Sequence, residues 1–124
     1  MIFIGVNSAI DAEKEVIFVD SIDEIDRTKV GSLVVLDFRN GDLDFYANAP
    51  IALAVKVGSI RDFLFLSAAK VKYALAEMPL AIELQKTAEN YLLDIKVLAI
   101  ADIDEIETIA KNSIDGIFCV KSSI

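Results

Sequence analysis

The 124-residue chain contains no histidine, which removes Ser-His-Asp and Cys-His catalysis, histidine-built zinc sites and imidazole acid/base chemistry. Any catalysis must rest on carboxylates, lysines or a hard metal ion. The single cysteine, Cys119, excludes an intrachain disulfide, and its place inside the apolar run Gly116 to Val120 reads as a buried thiol rather than an activated one. Basic residues are scarce, with 12 Lys and Arg against 20 Asp and Glu and a formal net charge of -8. Phosphate neutralisation needs a basic face, so nucleic acid is not expected as a partner. Long apolar runs are missing as well. A membrane-spanning helix needs about 20 mostly apolar residues, whereas Phe63 to Ala69 meets Lys70 and Lys72, and Phe45 to Val55 contains Pro50 and ends at Lys56. No membrane contact is expected. The start, MIFIGVNSAIDAEKE, lacks a basic region and turns acidic by Asp11, unlike a secretory signal; it reads as the first strand of a cytoplasmic protein.

What is present is apolar. At 55% hydrophobic residues the chain is rich for a domain of this size, much of whose surface must face water. That excess predicts burial against another subunit or a protein partner. The length fits one α/β domain over 1–124 and falls short of an eight-unit (β/α) barrel of about 250 residues. No linker or low-complexity tract divides it.

Seven β-branched, apolar runs recur: residues 2–6, 16–19, 33–36, 51–57, 71–76, 96–101 and 116–120. Short continuous runs of this kind are what strands covered on both faces look like, which favours a parallel sheet. Helical spacing is clearest from Pro79 to Leu93, where Leu80, Leu84, Ala88 and Leu92 recur at i, i+4. Ile103, Ile106 and Ile109 or Ala110 form a second stripe, and Ile60, Phe63, Leu64 and Ser67 a third. Arg39 to Ala49 reads as a turn before a short helix. Four segments share a helix-start signal: Ser8 to Asp11, Ser21 to Glu24, Ser59 to Asp62 and Asp102 to Glu105. Each has a capping oxygen followed three residues later by an acid. The likeness of VIFVDSIDEIDRTKVGSLVVLD to VLAIADIDEIETIAKNSIDGIFC suggests a repeated unit of strand, cap, short helix and strand.

In a parallel α/β sheet, ligands bind beyond the carboxyl ends of the strands. The candidates there are Asp20, Asp37, Lys56, Glu77 and Asp102, with Asn7 and Lys121 at the same edge. Four carboxylates at one edge have the oxygen chemistry for Mg²⁺, and Gly58-Ser59, opening a helix, is a phosphate candidate without a longer glycine pattern behind it. Helix starting accounts for most of these acids. Asp102 reads as a cap, Asp20 immediately precedes one, and Glu77 favours the helix near Pro79. Asp37, which ends LVVLD, has no capping duty. Lys56 suits Schiff-base or acid/base work if buried, and snorkelling or ion pairing if not.

From Leu33 to Leu84 the chain resembles the later part of a response-regulator receiver domain. LVVLD carries the phospho-acceptor position at Asp37, and IALAV and KYALAEMP stand as the last two strands. Asn7-Ser8 occupies the place of that family's acidic pair, and Glu77-Met78 the place of its lysine before the proline. From Leu93 to Val120, KVLAIADIDEIETIAKNSIDGIFCV resembles two successive strands of TIM-barrel lyases, with Ala101 and Asp102 where that family has a metal-binding glutamate. Both resemblances cover part of the chain only.

The fold expected is therefore α/β: a mostly parallel sheet of about six or seven strands with short helices on its faces. The arrangement expected is a flavodoxin- or receiver-like three-layer sandwich, with a partial (β/α) barrel as the alternative. The function expected is a non-catalytic regulatory or protein-interaction module that self-associates. The alternative is a Mg²⁺-dependent enzyme, or a binder of a phosphorylated small molecule, using the strand-end carboxylates.

Overall fold

The computed structural model describes residues 1–25 and 31–120. All seven apolar runs form strands: β1 (Ile2–Ile4), β2 (Val16–Phe18), β3 (Leu33–Asp37), β4 (Ala52–Lys56), β5 (Tyr73–Ala76), β6 (Lys96–Ile100) and β7 (Gly116–Phe118). Every pairing is parallel, in the order β1-β7-β6-β5-β4-β3-β2. Four α-helices join them: α1 (Leu43–Asn48), α2 (Ile60–Ala68), α3 (Leu80–Tyr91) and α4 (Ile106–Lys111). A 3-10 turn leads into α1 (Asn40–Asp42) and another into α4 (Ile103–Glu105), and a third follows β2 (Ile22–Glu24).

The strand order is that of a ring cut once, between β1 and β2. How far the cut ring curls follows from Phe18 on β2 and Phe118 on β7, whose ring centroids stand 6.3 Å apart at 74°. Five pairings separate those strands, and at about 4.8 Å per pairing a flat sheet would hold them about 24 Å apart. The sheet is a half-barrel. Its inner face is filled by its own side chains: Ile4, Leu33, Val35, Ala54, Tyr73, Leu75, Leu98 and Phe118 form one buried cluster that contains no residue of any helix.

The other face carries the helices. Phe63 and Leu66 of α2, Ala81, Leu84 and Ala88 of α3 and Ile109 of α4 pack there on Val34, Leu36, Leu53, Val55, Ala74, Ala76, Val97, Ala99 and Ile117. Each fully buried Leu or Phe among them contributes about 1.5–3 kcal/mol of transfer free energy. Of the two expected arrangements the partial barrel is the one observed, with helices on one face instead of the two layers of a sandwich. The physical reason is curvature. A sheet this short satisfies its concave face by closing on itself, leaving no apolar surface for a second helical layer.

The connection from β1 to β2 has no helix. Ser8 to Asp11, expected to start one, forms a turn in which the Asp11 carboxylate accepts from the amides of Val6 (3.0 Å) and Asn7 (3.1 Å). Desolvation opposes its ionisation, yet these amides, Gly5 and Lys14 hold the carboxyl below its ordinary range. The chain then runs back along the open side of β1. Ile2 and Ile4 bond towards β7 through Asp115 and Cys119, so the Phe3 carbonyl points away, and it accepts from Ala12 (2.8 Å). One residue on, Glu13 accepts from the buried Tyr73 hydroxyl (2.7 Å) and from Lys72 (2.8 Å). This closes the end of the half-barrel where the strands begin.

The other start signals fare differently. Ser59 Oγ accepts from the Asp62 amide (3.1 Å) and caps α2. Glu24 reaches back to the Ser21 amide (3.2 Å) and to that of Asp20. Asp102 begins its turn without a side-chain cap. The first copy of the suggested repeat runs through residues 26–30, outside the described residues, as does Lys121.

Gly116 marks the tightest point of the sheet. A Cβ there would stand 2.3 Å from the Ile2 carbonyl oxygen and 2.7 Å from Leu98 Cδ2, so only glycine lets β1 and β6 flank β7 this closely.

Candidate functional site

Side chains alternate along a strand, and on each of β2 to β6 one set faces the concave interior, including Phe18, Val35, Ala54, Leu75 and Ile100. Two positions further lie Asp20, Asp37, Lys56, Glu77 and Asp102. All five sequence candidates therefore sit on the inward parity, at or just past the ends of their strands. That parity was readable in the sequence once the inward residue of each run was known.

The structure brings three of them to one opening. Asp20, Asp37 and Lys56, with Arg39, line a cavity of about 590 Å³ at the carboxyl end of the half-barrel. Its walls and floor are Phe18, Val35, Leu75, Ile100, Phe118 and Val120. The volume lies within the range of small-molecule sites, about 300–1,000 Å³. Glu77 joins the group through Lys56, whose ammonium stands 3.5 Å from its carboxylate. Lys56 is paired and half-exposed rather than buried, the ion-paired arrangement of the two open to it.

Asp102 stands apart. It lines a shallower hollow of about 260 Å³ with Glu105 and Cys119, and another of about 400 Å³ with Gly5 and Val6. Among the described residues no three carboxylates or thiols converge closely enough to hold a metal ion.

Gly58 lines a separate recess of about 310 Å³ with Asp37, Lys56 and Asp62. At the start of the same helix Ser59 Oγ is already engaged by the Asp62 amide. Asp62 Oδ1 is buried without a hydrogen-bond partner, its nearest cation being Arg61 at 3.7 Å. A phosphate placed at this helix start would face two carboxylates.

Tyr46, buried on α1, positions Asp37. Its hydroxyl accepts from the Arg39 amide (3.1 Å) and lies 3.5 Å from the Asp37 carbonyl oxygen, pinning the backbone on both sides of Phe38. Burial pushes the Tyr46 phenol above its ordinary value, against the opposing pull of the Arg39 amide. Arg39 in turn donates from its guanidinium to the Asp20 carbonyl (3.1 Å), tying the end of β2 to that of β3. Neither Tyr46 nor Arg39 stood out in the sequence, because both act through backbone atoms brought together only by the strand order. Cys119 is half-buried, and burial, followed by the charges of Asp102 and Asp11, raises its thiol.

The chain matches no known family model, no curated protein and no solved structure. No described helix is long and apolar enough to cross a membrane.

Proposed function

We propose that this chain is a regulatory domain that binds a small organic molecule in the mouth of its half-barrel. The observation that carries this reading is the cavity itself: an apolar floor beneath a polar rim, at the carboxyl ends of parallel strands, where α/β folds hold their ligands.

A thermal-shift screen of amphipathic fragments tests the proposal, run in parallel on the native protein and on Ile100→Phe, which extends a ring into the cavity from its partly exposed wall. Hits that stabilise the native protein and lose their effect in Ile100→Phe support it. The absence of any hit, or hits indifferent to the substitution, refutes it.

A second reading, self-association through α2, is favoured by Ile60, Leu64 and Phe65, which are 39%, 41% and 38% exposed on that helix. Its partner is a second copy of the chain. Sedimentation of the native protein beside Leu64→Glu decides it: a dimer lost in the variant supports the reading, and a native monomer at micromolar concentration removes it.

A further inference from the structure

We infer that the ligand of the mouth cavity is a free apolar α-amino acid, held as its zwitterion; this rests on the reading of the mouth as a ligand site. The rim carries both signs of charge, since Asp20 and Asp37 line the cavity together with Arg39 and Lys56. Their order is set by the sheet. Asp37 and Lys56 stand opposite one another on β3 and β4. Phe18 stands opposite Val35 on β2 and β3, and the pairing continues through the Val19 amide, which donates to the Val35 carbonyl at 3.0 Å. Asp20 and Asp37 each follow two residues later, so the row across β2, β3 and β4 reads acid, acid, base at about 4.8 Å per strand. The sign changes within one strand spacing. A ligand with one charge leaves half of this row unanswered, whereas an ammonium and a carboxylate on the same carbon answer both halves.

Both bases keep a charge to offer a carboxylate. The Arg39 guanidinium donates to the Asp20 carbonyl at 3.1 Å, but that acceptor is neutral and a guanidinium has further N–H donors. The bond fixes the group at the rim without discharging it. Lys56 stands 3.5 Å from the Glu77 carboxylate, with the two side chains 46% and 67% exposed, and exposed pairs of this kind contribute little. The lysine turns to a ligand at small cost.

Beneath the charged row lies an apolar one. Phe18 and Val35 precede Asp20 and Asp37 on the same face, about 6.6 Å down the strands, and Leu75, Ile100, Phe118 and Val120 complete the lining. Phe18 and Phe118 meet there edge to face. Opposite charges gathered at one end and an apolar body at the other is the layout of an α-amino acid with an apolar side chain. Its side chain rests on the rings, its ammonium faces Asp20 and Asp37, and its carboxylate faces Lys56 and Arg39.

Phenylalanine, phenylethylamine and phenylpropionate share one body and carry both charges, the ammonium alone or the carboxylate alone; leucine with its corresponding amine and acid gives a second series. Each is titrated into the native protein, Asp37→Asn and Lys56→Gln, following the methyl resonances of Val35, Leu75, Ile100 and Val120. Both replaced side chains are exposed, and circular dichroism checks that the variants keep the fold. A hydrogen bond to a charged group supports about tenfold in affinity or more, so the amino acid of at least one series is expected to bind at least about tenfold tighter than either singly charged analogue. Asp37→Asn should shrink its advantage over the acid and keep that over the amine, and Lys56→Gln should do the reverse. A singly charged analogue matching the amino acid in both series, or variants that do not separate the two advantages, overturns the assignment and leaves the site standing. If neither series moves the cavity methyls, the assignment falls, and the fragment screen with Ile100→Phe decides the site on its own.

Discussion

Replacing Glu13 by alanine tests whether the β1 to β2 connection holds the half-barrel together in place of a β1–β2 pairing. Glu13 has a side chain only 11% exposed and contacts Lys72 at 2.8 Å, and it accepts from the Tyr73 hydroxyl at 2.7 Å. Tyr73 is 3% exposed, so removing its acceptor strands a buried donor, at a cost of about 1–3 kcal/mol. Lys72 is half-exposed and its ion pair adds a few tenths at most after solvent screening. The expected loss is about 2 kcal/mol, and Tyr73→Phe, which removes the stranded donor, should recover about 1 kcal/mol of it in the double variant. Urea unfolding followed by circular dichroism measures all three. A Glu13→Ala loss below about 0.5 kcal/mol, or additive effects in the double variant, would refute the anchoring role.

Gly116→Ala should destabilise by about 2–3 kcal/mol, because the new methyl meets backbone and cannot be accommodated by a rotamer change; thermal unfolding reads it. Leu92 ends α3 at φ 54 and is 88% exposed, so Leu92→Gly should stabilise by about 0.5–1 kcal/mol, relieving left-handed strain without losing packing. Unchanged or lower stability would contradict that. Burial and then the Glu13 carboxylate push the Tyr73 phenol far above its usual value, and burial raises that of Tyr46. Phenols raised on folding stabilise fully below about pH 10, and that stability is lost as pH rises through their folded values. Ultraviolet titration should show both withheld from ionisation above pH 10 until the protein unfolds.

The strands were legible because parallel strands covered on both faces leave continuous apolar runs, and all seven form where the runs lie. What covers each face was not legible. LVVL reads the same whether Leu33 and Val35 meet a helix or, as here, the opposite wall of a curled sheet. The helix starts were legible in part. Ser59 caps α2 through its side chain, while Ser8 and Asp11 carry a similar pattern into a turn, because the connection must return along β1 instead of continuing as a helix. Glu13 and Tyr73 could not be paired from sequence, being 60 positions apart. Asp37, which capping left unexplained, lies in the mouth beside Asp20 and Lys56. The sequence pointed to the edge; only the curl made a cavity of it.

The curl is tested most directly by nuclear Overhauser contacts between the aromatic protons of Phe18 and Phe118 in a sample with only its phenylalanines labelled. The half-barrel predicts cross-peaks between the two rings, which vanish in Phe18→Leu. Their absence in the native protein, with the pairings of β2 to β7 intact, would mean an open sheet with no mouth and would contradict the account.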